Sequence, residues 1–343
     1  MKALVYTRPF TFEYTDWPEP VVGDDDVLVC VKACGICGSD VQGATGKTGR
    51  RIPPLIMGHE AAGIVERVGN NAGSFQPRDR VCFDSTVYCN KCEQCKLRRY
   101  NRCEKREVFG VSTDRFKRHG AFAEYVAVPW WTVAKIPDSL SFREATMLEP
   151  LSIALHAANR VALSPTDRIV VIGAGTIGLL LMQAVRMRGV RKVIVSDINS
   201  FRLNLARQLG ADVIVNPSES NLGDVVFRET EGRGANVTFD AVGYARTFES
   251  ALVITKTGGS VVAIGNLEKT ATINIQDLVA RELTITGSYA SAGEFRECID
   301  LLSSKRICAE SLISDVMPLC DGQGAFDRLL SGKENLIKII LEP

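Results

Sequence analysis

Four cysteines crowd one short stretch of the chain, Cys89, Cys92, Cys95 and Cys103, in the spacing C-x2-C-x2-C-x7-C. Four thiolates on one loop can close a tetrahedron around Zn²⁺ and leave no open position, which describes a structural site. In such a polar lobe the metal replaces a hydrophobic core. An iron–sulfur cluster accepts the same ligands, but nothing in the chain suggests electron transfer, so zinc is favoured. A second constellation is dispersed. Cys37, Ser39 and Asp40 lie in GICGSD after an alternating segment, His59 and Glu60 in GHE, and Glu149 in Leu148-Glu149-Pro150. One thiolate, one imidazole and one carboxylate make a three-ligand set whose fourth position stays open for water or substrate, as catalytic zinc requires. Glu60 and Glu149 compete for the carboxylate place. Glu149 is preferred, because adjacent side chains such as His59 and Glu60 seldom converge on one ion without a local twist. Asp40 is placed to orient His59. Of the three histidines, His156 reads as core on an apolar helix and His119 as an exposed loop residue. The other six cysteines (30, 34, 82, 298, 308 and 320) read as buried, inert thiols.

A third motif binds nucleotides. Gly173-Ala-Gly175-Thr176-Ile177-Gly178 follows an apolar run and opens a helix pattern. In that context Gly173 permits the tight turn, Gly175 lets backbone approach a pyrophosphate, and Gly178 lets helix and strand pack closely. The helix start offers free amides to the phosphates. Asp197, nineteen residues beyond Gly178 at the end of the next strand pattern, can accept from ribose hydroxyls and repel a 2′-phosphate, which selects NAD over NADP. Arg202 could pack near the adenine or tolerate a phosphate, and Asp197 outweighs it.

The elements that must position these residues fall into two kinds. Up to about Ser164 the chain reads as short alternating β segments broken by Gly and Pro, the pattern of a barrel-like β domain. From there strands near 169–172, 192–196, 212–215, 236–240, 260–264 and 283–287 alternate with helix patterns at 176–188, 200–209, 221–231 and 245–255. Such alternation builds a doubly wound parallel sheet. A tail from about 290 holds a helix (294–304) and a strand near 336–341, and is expected to return to the first domain.

A chain of 343 residues suits two domains. Forty-one basic against forty acidic side chains give net +1, no field for nucleic acid or an acidic membrane surface. Basic residues cluster only at Lys96, Arg98, Arg99, Arg102, Lys105 and Arg106. These read as a solvated face, with a phosphate-attracting rim as the sharper alternative. The N-terminus lacks a signal-peptide core and no window is apolar enough to span a membrane. Eleven cysteines without a secretion signal point to metal ligation or burial rather than disulfides, so a cytoplasmic location is expected. Segment 279–287 ends in a strand that would lie at a sheet edge, where two copies could pair.

Taken together, GICGSD, GHE, the four-cysteine lobe, LEP and GAGTIG, in this order and over the whole length, resemble the zinc-containing medium-chain alcohol dehydrogenases. Glu149 in LEPLSIALHA is similar to the polyol and sugar-alcohol branch, which includes sorbitol and galactitol-phosphate dehydrogenases. The resemblance implies an α/β protein with a GroES-like β-barrel catalytic domain (1–153), a Rossmann NAD-binding domain (154–289) and a C-terminal segment (290–343) returning to the first, with the active site between domains. It implies two zinc ions per chain, with Cys37, His59 and Glu149 or Glu60 holding the catalytic one, and NAD as cofactor. It further implies a homodimer or homotetramer. Ser39, two residues after a ligand, would take the proton of the alcohol as hydride leaves its carbon. Two departures stand out. Gln42 replaces a relay histidine found in many relatives, and Ala290 falls where sorbitol dehydrogenases carry a substrate-gripping Arg, which counts against sorbitol itself. The implied reaction is reversible NAD-linked oxidation of a secondary alcohol, foremost a polyol. A phosphorylated polyol or an amino alcohol such as threonine is the alternative, and a non-catalytic nucleotide-binding protein is the alternative of another class.

Overall fold

The alternation at Val27–Lys32 becomes the central strand of the sheet on which the first candidate centre is built. The structure, a computed structural model, describes residues 1–343. It divides into two units, Met1–Ser152 with Ser291–Pro343, and Ile153–Ala290.

In the first unit the elements used below are β1 (Lys2–Arg8), β2 (Thr11–Asp16), β3 (Asp26–Gly35), α1 (Gly38–Ala44), β4 (Leu55–Ile56), β5 (Glu60–Val68), β6 (Arg80–Phe83), β7 (Tyr125–Pro129) and β8 (Val133–Lys135). α2 (Leu148–Ala158) follows. β3 pairs antiparallel with β5, and Gly35 stands opposite Glu60 in that register. The residues just after β3 and just before β5 therefore emerge at one end of the sheet, which is how Cys37 and His59 meet. The chain's last strand joins the other side of β3, with Ile340 opposite Gly35. Apolar alternation turns Val27, Val29 and Val31 into a core with Tyr6, Phe12, Phe122 and Phe326. Within it the Phe12 and Phe326 rings stack at 4.0 Å.

The second unit carries β9 (Arg168–Ile172), α3 (Thr176–Met187), β10 (Lys192–Ser196), β11 (Val213–Val215), β12 (Ala235–Asp240), β13 (Thr255–Ala263) and β14 (Thr284–Gly287). These strands form one parallel sheet in the order β11-β10-β9-β12-β13-β14. Every residue of β9 is buried, as a parallel strand covered on both faces must be. The return of strand order on either side of β9 makes the sheet doubly wound. β14 lies at its edge.

The tail holds more than its sequence pattern announced. Besides the helix Phe295–Ser303 it contains β15 (Ile313–Pro318), a helix at Gly322–Ser331 and β16 (Lys338–Glu342). β15 is half-buried along its length without clean alternation, so period-2 reading passes over it. No helix is long and apolar enough to cross a membrane.

Candidate metal and nucleotide sites

The four-cysteine loop is built locally. Cys92 caps a one-turn helix, Glu93–Lys96, that carries Cys95 on its buried side. The sulfur of Cys92 lies 3.5 Å from that of Cys95 and 3.9 Å from that of Cys103. Cys89 and Cys95 sulfurs are 4.0 Å apart. A tetrahedron with metal–sulfur bonds of about 2.3 Å has edges of about 3.8 Å, so these spacings fit a ZnS₄ centre. They are far from the roughly 2.05 Å of a disulfide. Backbone amides also aim at the sulfurs: Cys89 donates to Cys103 Sγ at 3.3 Å and Cys92 to Cys89 Sγ at 3.4 Å. Backbone donation, first from Lys91, holds the Cys89 thiol down at about 6, whereas burial pushes Cys95 up to about 12. Beyond the cysteines this lobe owns only a small cluster of Tyr88, Tyr100 and Trp131. The basic residues Lys96, Arg98, Arg99, Arg102 and Lys105 are exposed around it.

The second centre is assembled from distant segments. Cys37 is the N-cap of α1: Ser39 donates its amide to the Cys37 sulfur at 3.5 Å, and Asp40 accepts from the Cys37 amide at 3.4 Å. Cys37, His59 and Glu60 bring their ligand atoms within 4.8 Å of one another. Tetrahedral donors around one zinc stand about 3.3–3.8 Å apart, so small rotamer shifts close this set on an ion. Packing pushes the Cys37 thiol up to about 12, with Glu60 adding to burial. A buried thiolate beside a carboxylate needs compensating positive charge to be ionised, and one ammonium, that of Lys338, reaches Glu60.

Glu60 thus converges with its neighbour His59, against the expectation from adjacency. The reasons are local. Gly58 precedes the pair with φ +90°, supplying the twist, and a Cβ on Gly35 would meet Glu60 Oε2 at 2.5 Å. Only glycine at 35 leaves room for that carboxylate. Glu149 lies buried in the first turn of α2, outside the converging trio but within its field. Burial pushes its carboxyl up to about 8, His59 opposing and Glu60 and Cys37 adding, while Ser85 donates a hydrogen bond to it.

Two residues escaped sequence reading. Lys338 donates from Nζ to Glu60 Oε2 at 2.6 Å and to the Ile36 carbonyl at 3.0 Å, fully buried. Burial lowers its pKa, but Glu60 and Cys37 more than offset this and leave it above its usual value. A lone lysine inside the apolar run LeuIleLysIleIle was the available signal. Arg51 donates to Asp40 Oδ1 at 3.0 Å and approaches Ser39 Oγ at 3.5 Å. Its loop, LysThrGlyArgArg, carries no hint of burial. Asp40 Oδ2 in turn lies 3.5 Å from His59 Nδ1, a buried nitrogen with no hydrogen bond of its own. Ser39 itself is exposed.

The remaining sequence candidates sort plainly. His156 is buried. His119 is not the exposed loop residue expected: it is half-buried, accepts from the Ile56 amide at 3.2 Å and meets Trp17 edge-on. Cys34, Cys82 and Cys298 are buried, but Cys30 is only half-buried, and Cys308 and Cys320, which lie outside the strands, are exposed.

In the second unit Gly173 turns the chain with φ +99° at the end of β9, and Gly175 caps α3. A Cβ on Gly178 would lie 1.8 Å from the Gly173 carbonyl, whereas one on Gly175 would meet nothing within 4 Å. The turn is tight on the protein side and open where a pyrophosphate would sit. Thr176 and Ile177 supply the first amides of α3. Asp197 is fixed beside this turn, accepting from the amides of Ala174 at 2.7 Å and Asn199 at 2.8 Å. Arg202 lies in the following helix, its amide bound by Asn199.

A family model described as zinc-binding dehydrogenase matches residues 176–304, and one described as alcohol dehydrogenase GroES-like domain matches 23–138. The sorbitol dehydrogenase of Bacillus subtilis is 33% identical, over 100% of this chain and 97% of its own. The L-idonate 5-dehydrogenase of Vitis vinifera is 34% identical over 94% and 89%. A solved alcohol dehydrogenase from E. coli CFT073, complexed with NADH, superposes with TM-score 0.92 at 29% identity, covering 100% of this chain and 99% of its own.

Proposed function

The chain belongs to the zinc-dependent alcohol dehydrogenase family with a GroES-like domain, and from that premise we propose that it oxidises a secondary hydroxyl of a polyol or sugar alcohol with NAD⁺, reversibly. The observation that carries this reading is the convergence of Cys37, His59 and Glu60 in one buried set of donors. A thiolate, an imidazole and a carboxylate make an open zinc site. The relatives named for sorbitol and L-idonate support a polyhydroxylated substrate.

Bound at these residues, zinc would supply the Lewis acid that acidifies the alcohol, and NAD⁺ bound at the glycine-rich turn the hydride acceptor. The rest falls to the chain. Ser39 receives the hydroxyl proton, and its exposure lets it release that proton to water, since Gln42 does not titrate. Asp40, clamped by Arg51, holds the His59 ring in orientation. Lys338 neutralises Glu60 and so governs how much of that carboxylate is available to a metal. Glu149 is a further donor at the same centre, directly or through water. Cys89, Cys92, Cys95 and Cys103 hold a second, structural zinc.

Asp197 favours NAD⁺ over NADP⁺ by accepting from ribose hydroxyls. The edge strand β14 is read as the contact of a homodimer or homotetramer, and light scattering giving a monomer at micromolar concentration would remove that reading. Thiolates kept for metal suit the reducing cytoplasm. The proposal is tested with a panel of polyols, sugar-alcohol phosphates and amino alcohols, each with NAD⁺ and NADP⁺. Turnover on polyols with NAD⁺ is expected. Preference for threonine, or for NADP⁺, contradicts the substrate or the cofactor reading respectively.

A further inference from the structure

We propose that the unit Ile153–Ala290 carries a second anion site, at the end of its sheet opposite the glycine-rich turn, that takes a small phosphate or phosphate ester. A cavity of about 240 Å³ opens there, lined by Arg168, Arg191, Arg233, Lys256, Thr166 and Asn236 among others. Arg168 is the first residue of β9 and Gly173 follows the last. At about 3.3 Å per residue, the cavity and the nucleotide turn are about 16 Å apart along that strand. They are separate places.

The charge around the cavity is unbalanced. Glu231 accepts from Arg168 Nη2 and from Arg233 Nη2, each at 2.6 Å. Arg191 and Lys256 take part in no ion pair. Asp167, next in sequence to Arg168, accepts from the Ser164 amide at 2.7 Å and does not line the cavity. Four cations therefore line the cavity, two of them paired with Glu231, and no carboxylate lines it. Converging cations repel, and a bound anion relieves that repulsion.

The carboxylate sits on a helix-ending turn. Glu231 has φ +57°, followed by Gly232 at +80° and Gly234 at +87°. A residue with a side chain rarely adopts this left-handed backbone. It closes the helix Leu222–Glu229, with the Glu231 amide donating to the Arg228 carbonyl and the Gly232 amide to the Phe227 carbonyl, and it leaves the Glu231 carboxylate between two guanidiniums. Asn236 Oδ1 accepts from the Arg168 amide at 3.0 Å and fixes the floor. The volume lies below the roughly 300 Å³ at which sites for larger ligands begin. That excludes a dinucleotide and suits a phosphate, free or on a few carbons. Guanidinium forks match its oxygens in pairs.

The test is calorimetric titration of the full-length, zinc-loaded protein, saturated with NADH so that the nucleotide site is filled, at ionic strength fixed with chloride. One arm injects inorganic phosphate and the other glycerol 2-phosphate. Saturable binding of one anion per chain is expected. Arg191→Ala and Lys256→Ala should each weaken it about tenfold, the weight of one charge-assisted contact, at unchanged melting temperature. Glu231→Gln should tighten it, because the competing carboxylate is gone. Tighter binding of the ester assigns the site to organic phosphates, and equal binding to free phosphate. Unsaturable heats, binding abolished by NADH, or equal affinity in wild type and both alanine variants would each overturn the proposal.

Discussion

The two metal constellations of this chain solve opposite problems. The four-cysteine loop lies within fifteen residues, has almost no apolar core of its own, and keeps two of its sulfurs partly accessible. The Cys37–His59–Glu60 centre draws on segments up to the far end of the chain, and its charged groups are nearly sealed: Glu60 is 1% and Lys338 2% exposed. In the first, a metal held by the four thiolates would carry the folding of the lobe. In the second, the fold exists already and holds donors ready. Loss of one ligand should therefore unfold a lobe in one case and stop chemistry in the other.

The sharpest contrast comes from His59→Ala. It should lower kcat/KM by about 10³-fold or more, since the several kcal/mol of Lewis-acid stabilisation go with the metal. The melting temperature should barely move, which a thermal scan beside a steady-state assay checks. Cys92→Ser should invert the pattern, lowering the melting temperature by about 10 °C or more while molecules that remain folded keep turning over. If both variants lost stability equally, the contrast between the centres would fail.

Next in size is Lys338→Met, which leaves the Glu60 carboxylate buried without its partner. A cost of about 3–5 kcal/mol is expected in denaturant unfolding. The double variant with Glu60→Gln should recover most of it. A Lys338→Met protein of wild-type stability would show that the pair is not the buried contact described.

A smaller, pH-dependent effect belongs to Asp84, outside both centres. It accepts from the Thr86 amide and the Ser291 hydroxyl, and burial pushes it from 3.8 to about 6. A carboxyl raised in the folded state binds its proton more tightly there. Its contribution is complete below about pH 4 and is lost as pH rises through about 6. At about 1.4 kcal/mol per unit this amounts to about 3 kcal/mol. Asp84→Asn should remove that slope, and an unchanged stability–pH curve would contradict the assignment.

How much of this was legible follows the same division. The cysteine loop and the turn from Gly173 to Gly178 are contiguous, so spacing alone exposes their geometry. The parallel sheet was legible because fully buried strands are apolar throughout. The second centre showed only its donors. That Glu60 rather than Glu149 meets Cys37 and His59 depends on Gly58 and on the space left by Gly35, neither of which announces itself. Lys338 is 278 residues from Glu60, and such a pairing is set by the register of β16 on β3. The tail's extra strand is half-buried without alternation, which hides its period, whereas the helix at Gly322–Ser331 buries Gly322, Ala325 and Phe326 at helical spacing and was legible in principle.

The central claim, two unlike zinc sites in one chain, is tested most directly by counting metal. Purified protein should hold two zinc ions per chain by elemental analysis. Cys37→Ser should hold one, retained against a chelator and accompanied by an unchanged melting temperature. Two ions in Cys37→Ser, or one in the wild type, would contradict the account.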